Sequence, residues 1–356
     1  MSAKPTQFNQ AKLEAFLGKV VGDLGAAMAI SLAAIGDKLG LYKAMAEMGS
    51  VTSETLAQRT SLSERYLREW LINQAAGGYI EYDSVTARYS LPVEHAVALT
   101  KEDSPFFVAG GFQLANAVMK AQPRIEKNFK SGAGMLWGEH DPELFPGTER
   151  FFRASYLGYL VQKWLPALDG VVLRLEGGAT VADIGCGHGA STMIMSKAFP
   201  RTTFYGFDNH NPSIQRARQS AIAGRMGDTL KFEDADAKTF PNLRYDLITF
   251  FDCLHDMGDP LAALKRARAT IREDGTVMVV EPMAGAKVED NFNPVGRVFS
   301  GASVLCCTPN ALASGSTALG TIPTDEQFRK IAADAGFTRF RRATETPFNR
   351  VFEIRP

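Results

Sequence analysis

The stretch that decides the fold is VADIGCGHGAS, residues 181–191. An apolar run, interrupted only by Asp183, leads into three alternating glycines and then into the start of a helix. Gly185 and Gly187 permit a tight turn and let the backbone approach a ligand that a Cβ would block. The N-terminus of the following helix favours a carboxylate or a phosphate. The stretch therefore predicts a ligand-holding strand–turn–helix unit, and it also fits the dinucleotide fingerprint.

Around this stretch, short apolar runs alternate with helical patterns. The predicted strands are TVADIG, TTFYGF, LKFE, YDLITFF and TVMVVE, with helices near 190–199, 212–224 and 260–272. Such alternation is typical of a doubly wound, parallel α/β sheet. Two later runs, FTRFRRATE and NRVFEIR, are joined by a short turn and predict an antiparallel pair at one edge.

The N-terminal half has a different pattern. Residues 9–37 predict a helix whose apolar residues recur at four-residue steps and form one stripe: Phe16, Val20, Leu24, Met28 and Leu32. The stripe could pack in the core of this chain or against a second copy. Residues 51–91 follow the order helix, turn, helix, hairpin, which is the order of a winged-helix module.

Composition indicates an ordinary soluble protein with two domains. The chain has 356 residues, 45% of them hydrophobic, and equal numbers of basic and acidic side chains. No global charge attracts nucleic acid or an anionic membrane. The apolar stretch Leu24–Ile35 is too short to span a bilayer, and no signal peptide precedes it. Four cysteines without disulfide or zinc spacing suit the cytoplasm, and five scattered histidines predict no metal site.

Acidic residues follow the predicted strands where ligands of open α/β sheets bind. Asp183 precedes the first glycine by two residues and can reach an ammonium group, at a place that a dinucleotide site usually keeps apolar. Asp208 ends the second strand and can accept from both hydroxyls of a ribose. Asp236 follows the third strand and can accept from an adenine amino group, as could Asp234.

The ordered motifs VADIGCGHG, FYGFDN, DADAK, YDLITFFDCLHDM and EDGTVMVVEP resemble the motif series of Rossmann-like (class I) S-adenosylmethionine-dependent methyltransferases. GLY at 40–42 and RYLREWL at 65–71 look like the bacterial subfamily with an N-terminal winged-helix-like domain. The resemblance implies a seven-stranded sheet whose last strand is antiparallel. It also implies a dimerisation domain over 1–100, connecting helices or a lid over 101–170, and a methyltransferase domain over 171–356.

The same resemblance implies where S-adenosylmethionine binds. The cofactor-binding residues are, in chain order, Asp183, Gly185, Cys186, Gly187, Asp208, Asn209, Asp236, Ala237, Phe251 and Asp252. The first four belong to the methionine end, the next two to the ribose, the following two to the adenine, and the last two to the sulfonium side.

His255 is the candidate general base. In similar small-molecule O-methyltransferases, an HD pair after the fourth strand supplies the base, and His255-Asp256 matches that pair. Methyl transfer needs a positioned nucleophile and removal of its proton, and imidazole titrates near neutral pH. Glu281 is a plausible orienting residue, whereas Met257 stands where those enzymes often have Trp. His255 could instead be a loop histidine that caps the backbone.

Other residues have plainer interpretations. His188 is more often structural or close to the cofactor than catalytic, and His140 could reach the pocket from a lid. The adjacent Cys306 and Cys307 are interpreted as small apolar side chains. Apolar residues in 151–165 and in a predicted lid over 285–321 (Phe292, Phe299, Val304 and Leu305) indicate a hydrophobic or aromatic acceptor.

The predicted function is methyl transfer from S-adenosylmethionine to an oxygen, nitrogen or sulfur of such a small molecule. An alternative is a metabolite-sensing, DNA-binding regulator with a winged helix. Residues 1–100 carry nine Lys and Arg against ten Asp and Glu, and Glu64 and Glu69 offset Arg65 and Arg68. Because phosphate binding needs basic side chains, we expect no nucleic-acid partner, and the helical domain is assigned to homodimerisation and to covering the active site. A nicotinamide-dependent oxidoreductase rests on the glycine motif alone.

Overall fold

The computed structural model describes residues 8–315 and 318–356. Residues 1–7 of the predicted dimerisation domain and residues 316–317 of the predicted lid lie outside them. The chain divides into two compact units. The first comprises the described residues up to Glu102, together with Phe107–Asn116, and the second comprises Asp103–Phe106 and Ala117–Pro356.

The first unit has the predicted winged-helix order. Its elements are α1 (Gln10–Lys38), α2 (Leu41–Met48), α3 (Ser53–Thr60), α4 (Glu64–Ala76), the hairpin β1 (Glu81–Asp83) and β2 (Arg88–Ser90), α5 (Val93–Thr100), and the start of α6 (Ala109–Met119). The Trp70 indole packs against Tyr42, with the two rings tilted by 58°, and donates to the carbonyl of Leu32 over 2.9 Å. Helix α4 therefore holds the C-terminal part of α1.

The rest of α1 leaves its apolar stripe in solvent. Phe16, Leu24 and Met28 are 60%, 57% and 66% exposed. Burial of this apolar surface is favourable, yet these three side chains do not contribute to the core of the chain. The intrachain interpretation of the stripe is therefore wrong for them.

The length of α1 corrects the argument made from Leu24–Ile35. The helix runs for 29 residues, and by length and composition alone it could cross a membrane. Its most apolar 18-residue window has a mean hydropathy of 1.5, and 17% of that window is buried. No other helix in the described residues meets these criteria.

The second unit carries a seven-stranded sheet. Its strands are β3 (Thr180–Ile184), β4 (Thr203–Asp208), β5 (Leu230–Asp234), β6 (Tyr245–Phe251), β7 (Ile271–Pro282), β8 (Arg339–Glu345) and β9 (Asn349–Arg355). The spatial order is β5-β4-β3-β6-β7-β9-β8, with β9 antiparallel to both neighbours and the other pairs parallel. The predicted fold class is confirmed.

Helices cover both faces of this sheet. The helices of the second unit are α7 (Gln122–Ser131), α8 (Leu144–Ser155), α9 (Val171–Gly177), α10 (Ala190–Ala198), α11 (Asn211–Ala223), α12 (Pro260–Thr270), α13 (Pro294–Ala302), α14 (Thr308–Ala313) and α15 (Asp325–Asp334). Residues of α9, α10 and α11 belong to the core on one face of the sheet, and residues of α12 and α15 to the core on the other. Alternate strand residues bury into opposite cores: Val181 packs with Trp164 and Ile214, whereas Ala182 packs with Leu264 and Phe328. This period of two explains why the strands are apolar almost throughout.

Two helical segments depart from α geometry. Tyr156–Trp164 and Ser303–Cys307 are π-helices, and the first lies within the apolar run 151–165. Rare π-helical turns are frequent at functional sites. The first begins at Tyr156, which lines the cavity described below, and the second ends at Cys307.

Candidate active site

A cavity of about 440 Å³ lies in the second unit, over the carboxyl ends of β3, β4 and β6. Its volume is within the range of small-molecule sites. Nine of the predicted cofactor residues line it: Gly185, Cys186, Gly187, Asp208, Asn209, Asp236, Ala237, Phe251 and Asp252. Residues predicted from separate motifs are thus brought together at one surface.

The glycine loop forms a cradle at this cavity. The Gly185 and Cys186 amides donate to the carbonyl of Phe207 over 2.8 and 3.1 Å, so β4 fixes the turn. Gly185 and Gly187 have backbone φ angles of +72° and +52°, which residues other than glycine rarely adopt. A Cβ on Gly185 would lie 2.8 Å from the Cys253 sulfur, whereas a Cβ on Gly187 would meet no described atom within 4 Å. The space beside Gly187 is therefore open to a ligand.

Asp183 lies beneath this loop and does not line the cavity. It is fully buried and accepts hydrogen bonds from the hydroxyls of Ser191, Thr192 and Thr249 over 2.7, 2.6 and 3.0 Å. Burial raises the pKa of Asp183 to about 6, although the three hydroxyls oppose the rise. Asp183 therefore ties the loop and α10 to β6, and its contact with an ammonium group stays a prediction.

Asp208 and Asp236 lie at the cavity, whereas Asp234 does not. Asp208 accepts from the amides of Gly187 over 2.9 Å and His210 over 2.8 Å. Burial raises the pKa of Asp208, and these two hydrogen bonds oppose the rise. The side-chain amide of Asn211 donates to the Asp234 carboxylate over 2.9 Å. Asp234 therefore already has a partner, and the adenine contact is assigned to Asp236 alone.

His255 and Glu281 form a buried pair. The Nδ1 of His255 lies 2.6 Å from Oε2 of Glu281, and the His255 backbone N–H donates to Oε1 over 3.3 Å. Burial lowers the pKa of His255, but Glu281 and Cys307 outweigh it and the pKa is raised well above its ordinary value. Because Nδ1 contacts a carboxylate, the backbone-capping interpretation does not describe this histidine.

Neither member of the pair lines the cavity, since His255 is 2% exposed and Glu281 is fully buried. The neighbours Cys253 and Asp256 do line it. The turn Leu254–Asp256 follows directly after β6, and Asp252 enters it with φ of +50°. His255 is therefore the sequence neighbour of Asp256, which lines the cavity, and Glu281 contacts His255 on the side of Nδ1.

Several residues that line the same cavity were not predicted from the sequence. The cavity is also lined by Trp137, Phe145, Phe152, Tyr156 and Asn310, among others. Phe145 stacks on His210 with ring centroids 4.5 Å apart. The aromatic run 151–165 signalled Phe152 and Tyr156, but no motif marks Trp137 or Asn310.

The apolar residues assigned to the lid over 285–321 do not line this cavity. Phe292 is 80% exposed, Phe299 is buried, and Leu305 packs beside Ile125. The prediction is wrong for these residues because α13 and the π-helix after it turn them elsewhere. Asn310 and Ser314, at the end of the same segment, do reach the cavity.

Family models match both parts of the chain. Residues 26–101 match the Rv2258c-like winged HTH domain, and residues 175–336 match a methyltransferase domain. The 27-O-demethylrifamycin SV methyltransferase of Amycolatopsis mediterranei is 28% identical over 134 residues, which cover 35% of this chain and 49% of that protein. A trans-aconitate 2-methyltransferase of Streptomyces coelicolor is 36% identical over 69 residues, which cover 19% and 23%. The chain spans about half or less of the length of these relatives.

Solved structures share the fold over nearly the whole chain. The mitomycin 7-O-methyltransferase superposes with a TM-score of 0.71 at 19% identity, over 98% of this chain and 100% of that one. Human N-acetylserotonin methyltransferase, solved with S-adenosylmethionine, gives 0.70 at 17% identity, over 99% of each chain.

These matches confirm the class predicted from the motifs. Residues 26–101 match a winged HTH domain, residues 175–336 match a methyltransferase domain, and the solved structures share the fold of the chain. The residues present fit S-adenosylmethionine, the predicted cofactor, because the open space beside Gly187 and the acidic ends of successive strands share one cavity.

If Asp208 holds the ribose, as the sequence predicts, Asp208→Ala removes a charge-assisted contact. We expect S-adenosylmethionine affinity to fall about 10–150-fold, equivalent to roughly 1.5–3 kcal/mol. Titration calorimetry measures this, and Asp234→Ala, one strand away and outside the cavity, should stay within about threefold of wild type. Equal affinities in both variants would contradict the role of Asp208.

Proposed function

We propose that the protein transfers a methyl group from S-adenosylmethionine to a small, hydrophobic or aromatic molecule. The observation that carries the proposal is the cavity itself. It is lined by the glycine cradle, by the acidic strand ends and by aromatic side chains, and the His255–Glu281 pair adjoins the lining residue Asp256.

The cofactor's share of the chemistry is an electrophilic methyl group on a sulfonium. The backbone around Gly187 would hold its methionine end, and Asp208 and Asp236 its ribose and adenine. Phe251 and Asp252, at the end of β6, would border the sulfonium. Each of these residues is fixed by a strand end or a hydrogen bond, so the site is preorganised.

The aromatic side chains of the cavity supply the acceptor site. Trp137, Phe152 and Tyr156 line the cavity, and burial of a flat or apolar molecule against such side chains excludes water. One structural neighbour is named a mitomycin 7-O-methyltransferase, and one relative is named a 27-O-demethylrifamycin SV methyltransferase. We therefore favour an oxygen nucleophile over nitrogen or sulfur.

His255 would take the proton from that nucleophile. Glu281 binds Nδ1, and the second ring nitrogen, which lies near Cys307, accepts the proton when the ring is in its neutral form. Glu281 and Cys307 stabilise the imidazolium that forms, which is why the pKa of His255 is raised. This geometry is that of a base and its orienting residue. Asp256, the next residue of the same turn, lines the cavity.

The direct test uses S-adenosylmethionine with an isotopically labelled methyl group. Purified protein is incubated with panels of phenols, carboxylic acids, amines and thiols, and label in extracted products is counted beside S-adenosylhomocysteine release. We expect transfer to at least one aromatic hydroxyl. Cofactor binding without any methyl transfer, together with salt-dependent binding of duplex DNA, would contradict the proposal. That result would indicate the metabolite-sensing, DNA-binding regulator instead, an alternative that the similar proteins do not favour.

With an acceptor in hand, His255→Ala should lower kcat by about 10²–10⁴-fold, because a positioned base contributes that much. Affinity for S-adenosylmethionine should stay close to wild type, since His255 does not line the cavity. Glu281→Gln should cause a smaller loss. His95→Gln is the matched control, because His95 lies in the first unit and contacts the Tyr79 carbonyl. A His255→Ala enzyme with nearly full kcat would refute the base.

We also propose that the protein is a homodimer built on the first unit. The cytoplasmic location of the protein stays a prediction. The exposed stripe on α1 supports the dimer, because a contiguous row of large apolar side chains in water marks an interaction surface. Symmetric pairs are the commonest oligomers.

Sedimentation at micromolar concentration should show a dimer for the wild type and a monomer for the double variant Leu24→Glu/Met28→Glu. Ala26→Glu adds a charge to the opposite face of the same helix and should leave the dimer intact. A wild-type monomer would contradict the proposal, and flotation of the wild type with lipid vesicles would assign α1 to a membrane instead.

A further inference from the structure

Three metal-ligating side chains meet behind the cavity wall. The ligand atoms of His255, Asp256 and Cys307 all lie within 4.8 Å of one another. They come from two distant segments, the turn after β6 and the end of the second π-helix. The Asn310 amide donates to the Asp256 carbonyl over 3.0 Å and joins those segments. Sequence spacing could not show this cluster, which is why no metal site was expected.

We propose that His255, Asp256 and Cys307 bind a divalent transition metal of the zinc class. Thiolate, imidazole and carboxylate are the donors that zinc prefers, and three protein ligands leave a fourth position open. Zinc–ligand bonds of about 2.0–2.3 Å place tetrahedral donors about 3.6 Å apart. The three donors therefore need to approach by at most about 1 Å, which side-chain rotation can supply.

Glu281 provides the outer support that such a site requires. A histidine that binds a metal usually donates its other ring nitrogen to a carboxylate, which fixes the ring and its tautomer. Here Nδ1 of His255 lies 2.6 Å from a Glu281 oxygen, so the remaining nitrogen is free to face the metal.

A second, independent observation concerns His140. It is 5% exposed, and neither of its ring nitrogens has a hydrogen-bond partner among the described residues. Buried imidazole nitrogens without partners are costly, and such groups call for an explanation. The Trp137 ring lies beside His140, with centroids 6.4 Å apart, and the Trp137 backbone N–H donates to Asn310, which in turn donates to Asp256. His140 is therefore the candidate for the fourth ligand.

Acidic side chains adjoin the cluster. Glu281 contacts His255, and the buried Oδ2 of Asp252 has no hydrogen-bond partner in the described ranges. A divalent ion would offset the cost of burying these acidic oxygens.

Metal binding would also control the reaction, a consequence that rests on the proposed function. A nitrogen lone pair that coordinates a metal cannot accept a proton, so an occupied site removes the general base. Zinc should then inhibit methyl transfer, and a chelator should restore it.

The binding test uses the full-length protein after chelator treatment and dialysis. Titration with Co²⁺ should give about one ion per chain, with thiolate-to-cobalt absorption and the visible bands of a tetrahedral site. Equilibrium dialysis with Zn²⁺ should show the same stoichiometry. Glu281→Gln should weaken zinc binding about 10–100-fold.

Cys307→Ser should abolish the thiolate band and weaken zinc binding at least about tenfold. The matched control is Cys306→Ser, an adjacent buried thiol outside the donor set, which should keep both. Retained S-adenosylmethionine binding in each variant shows that the domain is folded. Absence of zinc binding at micromolar concentration, or equal binding by the two serine variants, would overturn the proposal.

Zinc-free methyl transfer that zinc inhibits supports both proposals. Metal binding without transfer to any acceptor would leave the site standing and sink the proposed function. Methyl transfer that zinc does not affect, in a protein that binds no zinc, would support the proposed function and overturn the metal site.

Discussion

The active site depends on the hydrogen bonds that join the glycine loop to the end of β4. The Phe207 carbonyl accepts from Gly185 and Cys186, and the next residue, Asp208, accepts from Gly187. A loop with two residues at positive φ would otherwise be costly to fix, since glycine loses the most conformational freedom on folding. These five backbone and side-chain groups therefore set where the cradle and the adjacent carboxylate lie relative to each other.

A second constraint is the burial of acidic groups behind the cavity. Asp183 is tolerated because three hydroxyls hydrogen-bond to it, and Glu281 because His255 does. The two carboxylates have different consequences: one fixes the loop, and the other orients a ring. In the proposed cluster of His255, Asp256 and Cys307, the same His255 ring nitrogen would accept a proton or bind a metal. Under this proposal, methyl transfer depends on whether a metal is available.

The sequence predicts the sheet well because its strands alternate strictly between two cores. Val181 and Ala182 already show that both faces are buried, and the motifs mark where each strand ends. It also favours Asp236 over Asp234 for the adenine, and the structure places only Asp236 of the two at the cavity. What the sequence cannot predict is contact between segments that are distant along the chain. Cys307 approaches His255 only through a π-helix, and Trp137 reaches the cavity from a turn without a motif. Similarly, the apolar period of α1 predicts a buried face but not which surface covers it.

The central claim is that the cavity is an S-adenosylmethionine site rather than a nicotinamide site. Titration calorimetry of the wild-type protein with S-adenosylmethionine, S-adenosylhomocysteine and NAD tests it most directly. We expect both sulfur compounds to bind at one equivalent per chain with micromolar dissociation constants, about −8 kcal/mol, and to compete with each other. NAD should give no binding heat at the same concentrations. Tight binding of NAD, with neither sulfur compound bound, would contradict the account.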